Sequence, residues 1–467
     1  MTLSQTLAKF LVQSRFDDLS DAEVAAAKVT ISDCVGCAIA GSVTDTAAIV
    51  RRVAQASSAD GAATVICGGQ RGLSAQAAAL ANGTAAHALD YDDILWTLYG
   101  HPSVTILSAS LAVAETAGAG GRDLIHAYVL GVELAGKLGR SVNPLHYEHG
   151  WHATASIGVI AATAGCARLM RLDETQTAMA LGIAASEACG VRRNFGTMTK
   201  PFHAGNAARG AVLAAELARD GFTSDLTAIE GEFGWARTLN ARSVPDAEVL
   251  QAQLGNPWEI SEPGVVLKRY PACGGSHCGI DAFLGLQKEH AIQLGEIDRI
   301  VCHASPFAKK VLLYPRPRTG LEGKFSMEFC LAVAAIDGRV GLRHFDDAWA
   351  RDPRVTGLIE RIGFESRADL EPDVSADAVP AEVTVHARGR TFTRKVLVPS
   401  GDPRNPMNQA ERLEKFLDCT GGIASDAVAQ RLFDDFERLD RFDVLAPLIS
   451  ELRDVGEPQG ATSGSAR

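Results

Sequence analysis

Basic residues are in deficit in this sequence. The 467-residue chain has 45 Lys and Arg against 56 Asp and Glu, a formal net charge of -11. A protein that neutralises nucleic-acid phosphates concentrates Lys and Arg on one face, so we expect no nucleic-acid partner. The apolar runs are also interrupted by charges or glycines before they reach the roughly 20 residues that span a bilayer. We therefore predict no membrane-spanning helix and no membrane partner.

The ten cysteines lack the pairing that a disulfide framework or a zinc site requires. They are scattered singly apart from Cys34 and Cys37, which lie in an apolar, helix-like run without a second pair or a nearby histidine. No secretory leader is recognisable in front of them. We expect reduced, buried thiols in a cytoplasmic protein.

The chain is too long for one simple hydrophobic core, so two domains are expected. Apolar residues make up 46% of the sequence, and their spacing of three to four predicts helices from the start of the chain. Near Pro257 the pattern changes to strand-like runs, at 265–268, 297–303, 382–387 and 391–398, with helices between them. We predict a mainly α fold, with a large all-helical domain built from residues 1–265 and 403–452, a smaller inserted α+β domain over 266–402, and a disordered tail over 453–467.

One glycine-rich stretch of this acidic chain, Gly190 to Gly210, brings five basic residues together within about twenty positions. Its basic residues are Arg192, Arg193, Lys200, His203 and Arg209. The small side chain of Thr199 would let a ligand approach the backbone, and Pro201 predicts a non-helical entry to a helix that begins at Ala204. The first turn of that helix would offer free N–H groups to a carboxylate. The stretch indicates an anion site around Lys200; the alternative is a helix-packing segment with solvated arginines.

Three carboxylates lie close together at the end of a predicted helix, in the segment HALDYDD. His87, Asp90 and Asp93 are three residues apart and would share one helix face. Three neighbouring carboxylates cannot all ionise freely unless cations or N–H donors are near, so one of them is a candidate for a tuned general base. The alternative is an ordinary helix terminus with solvated aspartates.

Three histidines recur at steps of three further along the chain, at His146, His149 and His152. Such a group could ligate a metal. Pro144 and Gly150 interrupt a regular helix, however, so the three imidazoles need not share a face. We predict no metal here and a single catalytic histidine, His152, at the start of the next helix.

The second predicted domain has its own cationic and acid–base groups. Lys268 and Arg269 lie at the end of a strand-like run, and glycines and His277 follow. A cleft between two domains that each contribute such groups is the usual place for a small ligand. In isolation, a capping or core role is the favoured interpretation of His277.

Four segments, in order, resemble the MmgE/PrpD family, which contains 2-methylcitrate dehydratase and cis-aconitate decarboxylase. They are HALDYDDILWTLYGHPS, GTMTKPFHAGNAARG, KRYPACGGSH and KFSMEFCLAVAAIDG. With looser similarity between them, the resemblance extends over most of Leu7 to Phe416.

The resemblance implies a homodimer and an inter-domain pocket that holds di- or tricarboxylates without a metal or an organic cofactor. The positions that match the family's catalytic motifs are Asp93, His101, His152, Lys200 and His277. Lys268 and Tyr314 match substrate-binding positions, and we add Arg269 and Thr199 because they lie in the same two polar segments.

The chemistry of such a site is proton transfer next to a carboxylate. Removing that proton builds negative charge, so a lysine held against the carboxylate stabilises the transition state more than the ground state. We rank a hydro-lyase acting on a methylcitrate-like hydroxy acid first. A cis-aconitate-type decarboxylase comes second, and an epimerase of a dicarboxylate such as iminodisuccinate third. A non-catalytic, carboxylate-binding relative is the alternative from another class.

Overall fold

A computed structural model describes residues 1–58, 61–69, 72–240, 246–370 and 378–456. The chain divides into two compact units, Met1–Val265 with Cys419–Arg467, and Val266–Asp418. Residues 457–467 of the predicted tail lie outside the described residues, whereas residues 453 and 454 still belong to the last helix.

The regular secondary structure of the first unit is helical in its described residues, apart from isolated β-bridges. Its helices, numbered along the chain, are α1 (Leu3–Gln13), α2 (Asp21–Ser42), α3 (Asp45–Ser57), α4 (Ala75–His87), α5 (Ser103–Ala117), α6 (Gly121–Val142), α7 (Leu145–Glu148), α8 (Ala153–Ser156), α9 (Gly158–Leu169), α10 (Glu174–Ser186), α11 (Thr199–Arg219), α12 (Trp235–Asn240), α13 (Ala247–Gln253), α21 (Asp426–Glu437) and α22 (Ala446–Asp454). Several begin at side-chain caps, and α2 begins at a capping box formed by Ser20 and Glu23.

Helix α2 forms part of the core of this unit. By length and composition alone it could cross a membrane, but 67% of its most apolar 18-residue window is buried inside the protein. It packs against α4 and α21. A helix that is apolar on nearly all sides is typical of the centre of a helical domain, where every face meets another helix.

Helices α4 and α11 cross at unusually close range, through a glycine on each helix. A Cβ atom added to Gly83 would lie 2.9 Å from Gly205 Cα, and one added to Gly205 would lie 2.3 Å from Leu80 O and 2.2 Å from Thr84 Oγ1. Only glycine therefore permits this approach. The crossing brings the C-terminal end of α4 and the N-terminal turns of α11, which carry the polar segments singled out above, into one region.

The second unit combines a four-stranded mixed sheet with helices. Its elements are α14 (His277–Glu289), β1 (Ile297–Ala304), α15 (Pro306–Val311), α16 (Gly320–Gly323), α17 (Met327–Asp337), α18 (Asp347–Ala350), α19 (Pro353–Ile359), β2 (Ile362–Ser366), β3 (Ala381–Ala387), β4 (Arg390–Val396) and α20 (Gln409–Thr420). The strand order is β2-β1-β3-β4, with β1 and β2 parallel and the other pairs antiparallel. Helix α14 packs on β3 and β4. The predicted fold class, mainly α with a smaller α+β part, is confirmed.

Two details differ from the sequence-based expectations. The strand-like run at residues 265–268 is outside the four-stranded sheet, and its Leu267 N–H donates to Gly401 O instead. Residues 403–418, predicted to join the helical domain, are grouped with the second unit. The reason is local bonding, because Glu411 pairs with Arg269 at 2.5 Å and Asp418 accepts a hydrogen bond from Leu342 N.

Replacing Gly205 with alanine should destabilise the first unit by roughly 1–3 kcal/mol, because the new methyl group meets backbone that has no room to move. Thermal unfolding of the two proteins measures the effect. Gly357 in α19 is the matched control, since a Cβ atom there meets nothing within 4 Å. Gly357→Ala should leave stability unchanged or raise it by about 0.5–1 kcal/mol. Equal melting temperatures for Gly205→Ala and wild type would contradict the close crossing.

Candidate active site

Four buried or nearly buried histidines gather where α4 ends and α11 begins. The ring centroids of His87 and His101 are 4.7 Å apart, those of His87 and His152 are 5.7 Å apart, and those of His152 and His203 are 5.3 Å apart. The Nδ1 atoms of His152 and His203 are 3.1 Å apart, so one ring donates a hydrogen bond to the other. We call this group, together with Asp90, Asp92 and Lys200, the histidine cluster.

The carboxylate of Asp92 lies between two of these imidazoles. Asp92 is 0% exposed, and its Oδ2 atom is 2.7 Å from His87 Nδ1 and 3.1 Å from His101 Nδ1. Burial alone would raise the pKa of the Asp92 carboxyl, but its interactions with the two imidazoles, including the hydrogen bonds that their ring N–H groups donate, outweigh burial and hold the pKa well below its usual range. Asp92 is therefore a buried anion held by ring N–H donors.

The surroundings of His101 determine which ring nitrogen carries a proton. Its Nδ1 atom is 2.6 Å from the backbone carbonyl oxygen of Asp93 and 3.1 Å from Asp92 Oδ2. Both neighbours are acceptors, so Nδ1 must be the donor. The Nε2 atom is then left to exchange a proton with a ligand.

This hydrogen-bond pattern also bears on metal binding. One ligand atom from each of His87, Asp92 and His101 lies within 4.8 Å of the others, so by distance this trio could hold a metal ion. In the structure the Nδ1 atoms of both imidazoles lie within hydrogen-bond distance of Asp92 Oδ2, and a metal bound at these atoms would have to displace their protons. The geometry is that of a hydrogen-bonded triad.

Lys200 supplies positive charge to the cluster. Its Nζ atom is 2.5 Å from Asp90 Oδ1, and both side chains are about one-tenth exposed. The ammonium group also lies over the Phe195 ring, 5.3 Å from its centroid. Asp90 has a positive φ of 55°, a left-handed conformation that aspartate tolerates better than most residues and that turns the chain directly after α4.

The first turn of α11 differs from the sequence-based expectation. The helix begins at Thr199, not at Ala204, so Lys200 and Pro201 are already helical. Proline is tolerated in a first turn because N–H groups there have no intrahelical acceptor. Thr199, half-buried, is the first residue of the helix.

Three of the imidazoles are neutral near pH 7. Burial lowers the pKa of His87 to about 4, and it holds the pKa of His152 well below its usual range. Burial, followed by the nearby Lys200 ammonium, also lowers the pKa of His203. Lys200 therefore lies among neutral rings, which can accept or relay protons without adding fixed charge.

The hydrogen-bond partner of the Asp93 side chain is Ser103. The Asp93 carboxylate accepts hydrogen bonds from the backbone N–H and the hydroxyl of Ser103, and Ser103 Oγ is 2.5 Å from the Tyr128 hydroxyl. Complete burial raises the pKa of Asp93 to about 8. What Asp93 contributes to the histidine cluster is its backbone carbonyl, which accepts from His101.

The three spaced histidines 146, 149 and 152 separate in the structure. His146 is buried, with Nε2 2.6 Å from Ser156 Oγ and its ring stacked on Trp151, whereas His149 is exposed. Only His152 belongs to the histidine cluster.

The basic stretch divides in the same way. Arg192 stacks on the Tyr147 ring at 3.6 Å and donates to Tyr147 O, Arg193 is exposed, and Arg209 pairs with Glu187 at 3.7 Å. Of its five basic residues, Lys200 and His203 reach the cluster.

The second unit holds the remaining predicted site residues. Lys268 and His277 are each 2% exposed. His277 is the first residue of α14, and its Nε2 atom is 3.2 Å from Ala272 O. Tyr314 is half-buried, and Arg269 pairs with Glu411. The prediction did not include Lys324, a buried lysine whose Nζ donates to Pro271 O and whose backbone O accepts from Cys273 N. Lys324 thereby holds the loop between Lys268 and His277.

Comparison with known proteins covers almost the whole chain. The MmgE/PrpD N-terminal domain matches residues 5–247, and the MmgE/PrpD C-terminal domain matches residues 270–438. Human cis-aconitate decarboxylase is 25% identical over 477 residues, covering 100% of this chain and 97% of the relative. The mouse enzyme of the same name is 26% identical (89% and 86% coverage), and that of Aspergillus terreus is 26% identical (93% of both chains).

Stability should depend on pH through Asp93. Its folded pKa of about 8 lies above its ordinary value of 3.8, so the protonated acid favours the folded state. This contribution is complete below about pH 4 and is lost as the pH rises through about 8. Asp93→Asn cannot ionise, so its melting temperature should fall less between about pH 5 and pH 8.5 than that of wild type.

Asp45→Asn is the control for this measurement, because Asp45 is exposed in the first turn of α3. It should retain the wild-type dependence on pH. An Asp93→Asn protein with the wild-type dependence would show that Asp93 does not titrate in this range.

Proposed function

This chain belongs to the MmgE/PrpD family, and from that premise we propose that it is a lyase that decarboxylates a small tricarboxylate of the cis-aconitate type. The observation that carries the proposal is the buried Lys200 ammonium beside imidazoles that burial keeps neutral. The relatives named cis-aconitate decarboxylase support the choice of reaction, since they match over nearly their whole length.

The reaction needs one proton delivered and one carboxylate released. In cis-aconitate, breaking the bond between the methylene carbon and its carboxylate releases CO₂ and leaves an electron pair, which forms a new double bond to the central carbon. The electrons of the old double bond take a proton at its far carbon. Negative charge grows on the remaining carboxylates before that proton arrives, so a cation held against one of them lowers the barrier.

The histidine cluster has groups for both tasks. Lys200 would bind a substrate carboxylate, in competition with Asp90, in a site where burial strengthens the interaction. His101 has only Nε2 left for proton exchange, so we assign proton transfer to that atom: the doubly protonated ring would give its Nε2 proton to the far carbon and regain a proton from water. His152 and His203 lie alongside and would complete the polar wall.

The names of the relatives favour decarboxylation over the hydro-lyase that ranks first on sequence alone. Dehydration of a methylcitrate-like acid remains an alternative, because the same cation and imidazoles would serve it. We also propose, from the family resemblance, a cytoplasmic homodimer without a nucleic-acid or membrane partner. Light scattering at micromolar concentration tests the dimer, and a monomer would count against it.

Proton NMR in heavy water separates the candidate reactions. Wild-type protein is incubated with cis-aconitate, citrate, methylcitrate and iminodisuccinate in turn. We expect cis-aconitate to be consumed, with loss of CO₂ and one deuterium in the product. Turnover of methylcitrate alone would contradict the proposed decarboxylation and favour dehydration. No exchange with any of the four acids would favour the non-catalytic relative.

Lys200→Ala should lower kcat/KM by roughly two to four powers of ten, about 3–5 kcal/mol, because a charge that grows in the transition state loses its partner. Arg192→Ala is the control on the same stretch, and it should cost less than roughly tenfold because Arg192 contacts Tyr147 instead of the cluster. A Lys200→Ala enzyme with near-normal kcat/KM would move the anion site to the second unit, around Lys268 and Arg269.

A further inference from the structure

We infer that Asp92 is a positioning residue for proton transfer: it holds His101 as the Nδ1–H tautomer, with Nε2 toward the substrate, and its charge stabilises the ring when that ring is protonated. The inference rests on the proposed function, because it assigns Asp92 a part in that reaction. Asp92 itself would not touch the substrate.

The first support for this role is the set of atoms around His101 Nδ1. Two oxygen acceptors surround it, Asp93 O at 2.6 Å and Asp92 Oδ2 at 3.1 Å. The carbonyl can orient the ring, but it has no charge. The carboxylate adds a full negative charge beside a ring that alternates between neutral and cationic forms during proton transfer, and burial increases its effect.

His87 gives Asp92 its second anchor. His87 Nδ1 donates to the same Oδ2 atom at 2.7 Å, and both residues are almost completely buried. Because His87 is neutral, it holds the carboxylate by a hydrogen bond without cancelling its charge. His87 Nε2 and Asp92 Oδ1 have no hydrogen-bond partner among the described residues, so the bonds through Nδ1 and Oδ2 determine how this pair is oriented.

The carboxyl groups of Asp90 and Asp93 have other partners than the His87 and His101 imidazoles. Asp90 pairs with Lys200, and Asp93 accepts from Ser103. Asp92 is the member of this acidic segment whose carboxylate contacts the imidazoles of His87 and His101. A buried carboxylate that orients an imidazole and stabilises its protonated form is an established arrangement in proton-transfer enzymes.

The tautomer can be measured without any activity. A long-range proton–nitrogen NMR spectrum of ¹⁵N-histidine-labelled wild-type protein, recorded above about pH 8, separates protonated from unprotonated ring nitrogens. Comparison with His101→Gln assigns the His101 signals. We expect the proton on Nδ1, shifted downfield by its carboxylate acceptor. A proton on Nε2 instead would overturn the inference.

The role in catalysis is tested with Asp92→Asn, which preserves size and an acceptor oxygen but removes the charge. We expect kcat to fall roughly 10²-fold or more, with KM changed less than about threefold, and the His101 Nδ1 proton to move upfield. Glu133→Gln is the matched control, because Glu133 is a fully buried carboxylate of the same unit that accepts from Gly255 N and Glu259 N. Its kcat should stay within about twofold of wild type.

The outcomes separate the two proposals. An Asp92→Asn enzyme with wild-type kcat overturns the positioning role while leaving the lyase intact. A wild-type protein that turns over no polycarboxylate, yet has the proton on Nδ1, overturns the proposed function while the tautomer assignment stands. If Asp92→Asn does not fold, the wild-type spectrum still decides the tautomer.

Discussion

The close crossing of α4 and α11 is the constraint on which the histidine cluster depends. Gly83 and Gly205 let the two helices approach until added side-chain atoms would overlap backbone. That approach places the end of α4, at His87, beside the first turns of α11, with Lys200 and His203. A wider crossing would separate the Lys200 ammonium from the Asp90 carboxylate, and the charge would lose its buried partner.

The carboxyl groups of Asp90, Asp92 and Asp93 have three different sets of partners because the chain turns at Asp90. Asp90 has a left-handed backbone conformation, so the chain leaves the direction of α4 there, and the Asp90 carboxylate pairs with Lys200. Asp92 is fully buried against two imidazoles, and Asp93 lies against Ser103. The different surroundings separate their protonation states, since Asp92 stays ionised while burial raises the pKa of Asp93 to about 8. One short segment thus provides a counter-ion, a positioning anion and a neutral acid.

Sequence patterns predicted the fold class and drew attention to the segments that form the cluster. Periodicity and the change near Pro257 predicted a helical part and an α+β part, and the cationic stretch drew attention to Lys200. The patterns did not separate Asp92 from Asp93, because a spacing of three implies a continuing helix, whereas α4 ends at His87. The left-handed turn at Asp90 depends on three-dimensional contacts, which the spacing of residues along the sequence does not reveal. Pro201 likewise suggested a later helix start, although the first turn of a helix tolerates proline.

The most direct test is a crystal structure with propane-1,2,3-tricarboxylate, a saturated tricarboxylate that has neither a double bond to protonate nor a hydroxyl group to lose. We predict one ligand carboxylate at about 2.7–2.9 Å from Lys200 Nζ, the range of a charge-assisted hydrogen bond. We also predict that His101 Nε2 faces the ligand carbon chain, with the Asp92 carboxylate still next to Nδ1. A bound ligand that leaves the pair of Lys200 and Asp90 undisturbed, with no contact to the histidine cluster, would contradict it.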